Sequence, residues 1–147
     1  MTLPTCSTES QVQNIELQHQ RTDPTNQYRI LLVDDDEDLL FLGKTYIEKF
    51  KDFTVDVALS ARQGFEKLQI CPYDAIISDY DMPEMNGIVF LEKIRSCGYL
   101  APFIILSGKT REEIAEAHPI PEDVPFLQKG IEPSGIYARL VDSIRNF

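Results

Sequence analysis

Residues 75–81 read Ala75-Ile76-Ile77-Ser78-Asp79-Tyr80-Asp81, a short apolar run that stops at two carboxylates flanking a tyrosine. A run without polar alternation suits a strand covered on both faces, as in the middle of a parallel sheet between two layers of helices. Phe103 to Leu106, FIIL, has the same character. Working outward, Ile30 to Val33, Thr54 to Val57 and Phe126 to Gln128 supply three further short strands. Between and after them lie helical patterns: Leu39 to Phe50, a helix opened by Ser60, one after Asn86-Gly87, Arg111 to Ala117, and Ser134 to Ile144 with Ser134 as its cap. Five strands alternating with five helices predict an α/β domain with a doubly wound parallel sheet.

The 147 residues suit one domain and are too few for two ordinary cores. A hydrophobic fraction of 43% and a charged fraction of 26% are those of a globular chain that buries a core. Residues 1–27 are rich in Thr, Ser, Gln and Asn and read as a flexible tail, with residues 28–147 as the folded domain. A formal net charge of −10 repels a phosphate backbone and argues against direct nucleic-acid binding. Cys6, Cys71 and Cys97 form no CxxC pair and have no histidine at ligand spacing, so they read as reduced thiols rather than a zinc site or disulfide framework. No apolar run is long enough to cross a bilayer and the N-terminus lacks a signal-peptide pattern, so a cytoplasmic location is expected.

In a doubly wound sheet, function gathers beyond the carboxyl ends of the strands. Those ends carry the unusual residues: Asp34-Asp35-Asp36-Glu37-Asp38 after the first strand, Asp79-Tyr80-Asp81 after the third, Ser107-Gly108-Lys109 after the fourth and Lys129-Gly130 after the fifth. Carboxylates brought together repel one another unless a proton or a cation offsets them. Mg²⁺ (or Mn²⁺) is the expected partner, because a hard cation takes oxygen ligands and retains waters. A cation beside a carboxylate, with a lysine and a hydroxyl opposite, matches what a phosphoryl group in transfer requires around its oxygens.

The segments ILLVDDDEDLL, YDAIISDYDMPEMNGIVFLEKIR, PFIILSG and FLQKG resemble, in this order, the signature segments of the response-regulator receiver domains of two-component phosphorelay systems. The resemblance covers nearly all of residues 29–147. It implies a flavodoxin-like sheet of strand order 2-1-3-4-5, Asp79 as phosphoacceptor, and a metal site made by Asp34, Asp35, Asp79 and the backbone carbonyl of Asp81. It assigns Ser107 and Lys129 to the family's hydroxyl and lysine positions and Phe126 to the aromatic switch position coupled to Ser107. It further implies a sensor histidine kinase or histidine phosphotransfer protein as phosphoryl donor. Output, to a downstream protein or a dimer partner, would use the face of the fourth helix, fifth strand and fifth helix. The chain would thus catalyse only its own phosphorylation and dephosphorylation. Two features depart from or qualify the pattern. Gly130 stands where a proline usually follows the lysine, and Asp81 and Lys109 flank the expected site with opposite charges suited to tuning attack by water.

Taken one by one, the same residues have simpler readings. Asp36, Glu37 and Asp38 complement the positive end of the first helix, Ser107 alone reads as a loop hydroxyl bonded to its own backbone, and Lys129 alone as a solvated lysine. An aspartate directly after an apolar strand can merely cap a turn, yet the strand-end position of Asp79 favours function; Phe126 alone reads as core, and His19 and His118 as bystanders. Only the constellation raises the acidic pair, Ser107 and Lys129 above these. A phosphohydrolase of the haloacid dehalogenase type also begins with DxD, but there the pair follows the first strand and a larger pocket is needed. A degenerate receiver that binds partners without phosphorylation is the remaining alternative, set against the retained Asp35, Asp79, Ser107 and Lys129.

Overall fold

The computed structural model describes residues 27–130 and 133–147. All but the last residue of the expected tail, including Cys6 and His19, lies outside them. Five strands, β1 (Tyr28–Val33), β2 (Phe53–Ala58), β3 (Ala75–Asp79), β4 (Phe103–Ser107) and β5 (Phe126–Gln128), alternate with α1 (Glu37–Ile47), α2 (Ala61–Ile70), α3 (Gly87–Ser96), α4 (Arg111–Ala117) and α5 (Pro133–Arg145). The sheet is parallel throughout, in the order β2-β1-β3-β4-β5. The parallel sheet is the one expected from the apolar runs, and the strand order is the one the family resemblance implies.

All five residues of β3 and of β4 are buried, which is why neither shows polar alternation. Their side chains, with those of β1, divide between two cores. Leu31, Val33, Ile76, Phe103 and Ile105 face Phe65 and Leu68 of α2, Phe90 and Ile94 of α3 and Ile114 of α4. Ile30, Leu32, Ile77, Ile104 and Leu106 face Leu40 and Ile47 of α1 and Ile136, Leu140 and Val141 of α5.

Four helices open on a side chain that accepts a backbone N–H of the first turn: Asp36 for α1, Ser60 for α2, Asn86 for α3 and Thr110 for α4. Asp36, with Glu37 and Asp38 behind it, therefore does what the simpler reading assigned to it. Element boundaries differ in part from expectation. α1 ends at Ile47 rather than Phe50; Glu48 caps it with helical backbone angles and its N–H on Lys44 O, while its carboxylate accepts the Val55 N–H of β2. α5 spans Pro133–Arg145, and the side chain of the expected cap, Ser134, lies outside what the structure describes. Cys71 is a free thiol.

Candidate phosphoacceptor site

β1 ends at Val33 and the chain leaves the sheet with Asp34 held twice. Its N–H donates to Ala58 O at 3.1 Å, and its Oδ1 accepts the Asp36 N–H at 3.0 Å. The second contact belongs to the turn into α1, so the helix entry orients the carboxylate. Asp34 and Asp79 are almost fully buried while the neighbouring Asp35 is exposed. Carboxylate oxygens of Asp34, Asp35 and Asp79 lie within 4.8 Å of one another. This pocket of oxygen donors, two of them shielded from water, fits a hard divalent cation.

Lys129 enters from the end of β5. Its N–H donates to Ser107 O at 2.7 Å, which ties the two strand ends together. Its Nζ lies 2.9 Å from Asp79 Oδ1 and 3.5 Å from Asp34 Oδ2. Burial pushes the Asp79 carboxyl up to about 6; Lys129 opposes that rise, and the charges of Asp34 and Asp81 add to it. Burial likewise raises Asp34, against the pull of the Asp36 N–H and Lys129. Burial alone would lower Lys129, but its contacts to Asp79 and Asp34 reverse the direction and hold it above the ordinary lysine range. One ammonium thus faces two buried carboxylates and leaves a deficit of positive charge that a cation would fill.

Ser107, fully buried at the end of β4, accepts the Lys109 N–H on its Oγ at 3.0 Å, the local bond of the simpler reading. Lys109 Nζ meets Asp81 Oδ1 at 3.4 Å and lies over the Tyr80 ring at 5.9 Å, so the two flanking charges form an exposed pair at the rim. Phe126 is half-buried and packs against the core beneath α2, α3 and α4. The structure therefore gathers Asp34, Asp35, Asp79 and Lys129 at one place, ties Ser107 to Lys129 through the backbone, and sets Asp81 and Lys109 beside them.

Three contributors escaped the sequence. The Ser78 hydroxyl, fully buried, donates to Asp79 O at 3.0 Å. Gly87 opens α3 directly against the Asp79 backbone: a Cβ there would stand 2.7 Å from Asp79 O, so only glycine allows the approach. Its N–H donates to Tyr80 O at 2.8 Å, closing the β3–α3 turn. Asn86-Gly87 announced a helix start but not this contact. Tyr137 of α5 lines, with Leu32, Asp34, Leu39, Lys129 and Ile136, a cavity of about 70 Å³ behind the site, which places apolar walls at the back of both charged groups.

Residues 30–141 match the family model of the response regulator receiver domain. The chain belongs to the receiver family. Its fold is that of the Francisella response regulator 1452 receiver domain (24% identity, TM-score 0.66, covering 81% of this chain and 98% of that one). It is also that of the Vibrio cholerae chemotaxis protein CheY4 (22% identity, TM-score 0.67, covering 82% and 98%). Among curated proteins, the transcriptional regulatory protein QseB of Escherichia coli O157:H7 is 39% identical over 84 residues, 55% of this chain and 36% of that protein. RprY of Bacteroides fragilis, also a transcriptional regulatory protein, is 30% identical over 102 residues, 69% of this chain and 43% of that protein. The receiver spans less than half the length of these relatives. No helix among the described residues is long and apolar enough to cross a membrane.

Proposed function

We propose that this receiver accepts a phosphoryl group on Asp79 from the phosphohistidine of a sensor histidine kinase or a histidine phosphotransfer protein. The observation that carries the reading is the buried Asp79 carboxylate, 2.9 Å from Lys129 and clustered with Asp34 and Asp35, in a chain of the receiver family. An Asp79 oxygen attacks phosphorus, the N–P bond breaks, and the imidazole departs with its electron pair and takes up a proton; the product is an acyl phosphate. Lys129 is placed to meet the negative oxygens of the transferred group, and Ser107 to donate its hydroxyl to them once it gives up the Lys109 N–H.

Asp34, Asp35, Asp79 and the Asp81 carbonyl are the groups that would hold Mg²⁺ or Mn²⁺. Such a cation, when bound, neutralises charge on the transferring oxygens. Movement of Ser107 toward the phosphoryl group would be linked to Phe126, one residue beyond Pro125, whose carbonyl accepts the Ile105 N–H on β4. The face of α4, β5 and α5 would then shift between two packings read by a downstream protein or a second receiver. The Asp81–Lys109 pair at the rim would set how readily water reaches the acyl phosphate. Residues 28–147 form the phosphoacceptor unit in this reading, working in the cytoplasm with no direct nucleic-acid contact.

The test is intact mass after incubation with acetyl phosphate, with and without Mg²⁺, on the parent and on Asp79→Asn. A Mg²⁺-dependent, alkali-labile phosphoryl adduct missing from the variant is expected. A folded parent that takes no adduct under any condition refutes the reading.

A further inference from the structure

β2 is an outer strand of the sheet. The carbonyls of Asp52 and Ala58 accept N–H groups of Tyr28 and Asp34 at 2.7 and 3.1 Å, so this parity of the strand turns toward β1 and its chain. The other parity, Phe53, Val55, Val57 and Leu59, turns its backbone outward. Outward N–H and C=O groups at alternate residues of a six-residue edge strand are a template for another strand, and the opposite edge, β5, has only three residues.

Four outward groups along this edge are nonetheless engaged by side chains of the flanking helices, at Val55, Val57 and Leu59. The Val55 N–H donates to Glu48 Oε2 at 2.9 Å, and the Val55 carbonyl accepts Lys44 Nζ at 2.6 Å. Lys44 and Glu48 of the α1 end are themselves paired at 2.9 Å, so together they offer Val55 one acceptor and one donor, as a residue of a neighbouring strand would. From α2, Lys67 Nζ donates to the Val57 carbonyl, and the Gln63 side-chain oxygen accepts the Leu59 N–H at 2.9 Å. The Phe53 N–H is closed by its own turn, on Phe50 O at 3.0 Å.

We propose that Lys44, Glu48, Gln63 and Lys67 form a side-chain clasp that occupies the strand-pairing groups of β2 and keeps a second copy of this chain from adding to the sheet through its own β2. A second copy is the occupant because two β2 edges related by a two-fold axis satisfy each other at once and the assembly closes as a dimer. Strand addition needs the outward backbone alone, since Val55 and the other core residues of β2 are already buried.

The test is residue-resolved amide exchange on the full chain in physiological salt, with Thr54 and Asp56, which bond toward β1, as internal references. In the parent, Val55 and Leu59 are expected to exchange slowly at every protein concentration. Glu48→Ala should accelerate Val55 at least tenfold while Thr54 and Asp56 keep their rates, and Glu48→Gln, which retains an acceptor oxygen, should restore protection. In Lys44→Ala/Glu48→Ala, Val55 protection should return as concentration rises, together with a dimer in sedimentation equilibrium. A dimer formed elsewhere leaves Val55 insensitive to concentration, which refutes the clasp as a barrier to β2 pairing. Equal Val55 rates in the parent and in Glu48→Ala refute the clasp itself. If the double variant does not fold, the same concentration series on Glu48→Ala decides the matter in the same way.

Discussion

Replacing Asp79 with Asn should stabilise the cation-free protein while abolishing phosphorylation. Burial and the neighbouring carboxylates raise Asp79 from 3.8 to about 6 even with Lys129 beside it. The native state therefore binds a proton that the unfolded chain has already released between those values, and stability falls as pH rises from about 4 to about 6, then levels. A difference of about two pH units corresponds to about 3 kcal/mol, and access of solvent to the rim of the site reduces this to about 2 kcal/mol at pH 7.5. Asn keeps the shape and removes the charge. Urea unfolding in a chelating buffer at pH 7.5 should place the midpoint of Asp79→Asn above the parent by about 1 M, taking a slope of about 1.5 to 2 kcal/mol per molar. At pH 4 the two midpoints should converge, because the parent carboxyl is then protonated as well. Mg²⁺ should raise the parent more than the variant, since ligand that binds only the folded state adds to its stability. A variant no more stable than the parent at pH 7.5 without cation would refute the claim that Asp79 is ionised at a cost.

Lys129→Met leaves Asp79 and Asp34 buried without their ammonium, and should lower cation-free stability at pH 7.5 by about 1 to 3 kcal/mol, with most of the loss recovered near pH 4; paired urea titrations check this. Gly87→Ala places a methyl 2.7 Å from Asp79 O, so the α3 start must move away from β3, at about 1 to 3 kcal/mol by thermal unfolding and with slower adduct formation from acetyl phosphate. Exchanging the rim charges, Asp81→Lys with Lys109→Asp, should change the lifetime of the acyl phosphate followed by intact mass while shifting stability by less than about 1 kcal/mol, because the pair is exposed; an unchanged lifetime refutes the tuning role. Phe90→Ala, at a fully buried ring that touches Phe103 edge-on, should cost about 3 to 5 kcal/mol in urea unfolding.

The amino-acid sequence by itself determined the class of fold and the order of its elements. The apolar runs of β3 and β4 are local signals of strands buried on both faces, and the capping residues Asp36, Ser60, Asn86 and Thr110 mark helix starts within a few residues of the N–H groups they satisfy. Asp34, Asp35 and Asp79 were legible as well, because a doubly wound sheet sends every strand end to one side. Lys129 is different. Its place at the end of the fifth strand and the FLQKG resemblance single it out in the sequence, but its partners Asp34 and Asp79 lie 95 and 50 residues away, so the ion pairs themselves emerge only in the fold. Ser78 and Gly87 read as a strand residue and a helix start until the β3–α3 turn folds back on Asp79. The contact of Glu48 with β2 has the same origin: the residue continues the helical pattern in sequence, and only the folded sheet edge brings the Val55 N–H to its carboxylate. Local propensity and periodicity act over a few residues, so they specify elements. The charges and hydrogen bonds that make the site and guard the sheet edge act between elements, and only the register of the sheet and the packing of helices against it decide which groups meet.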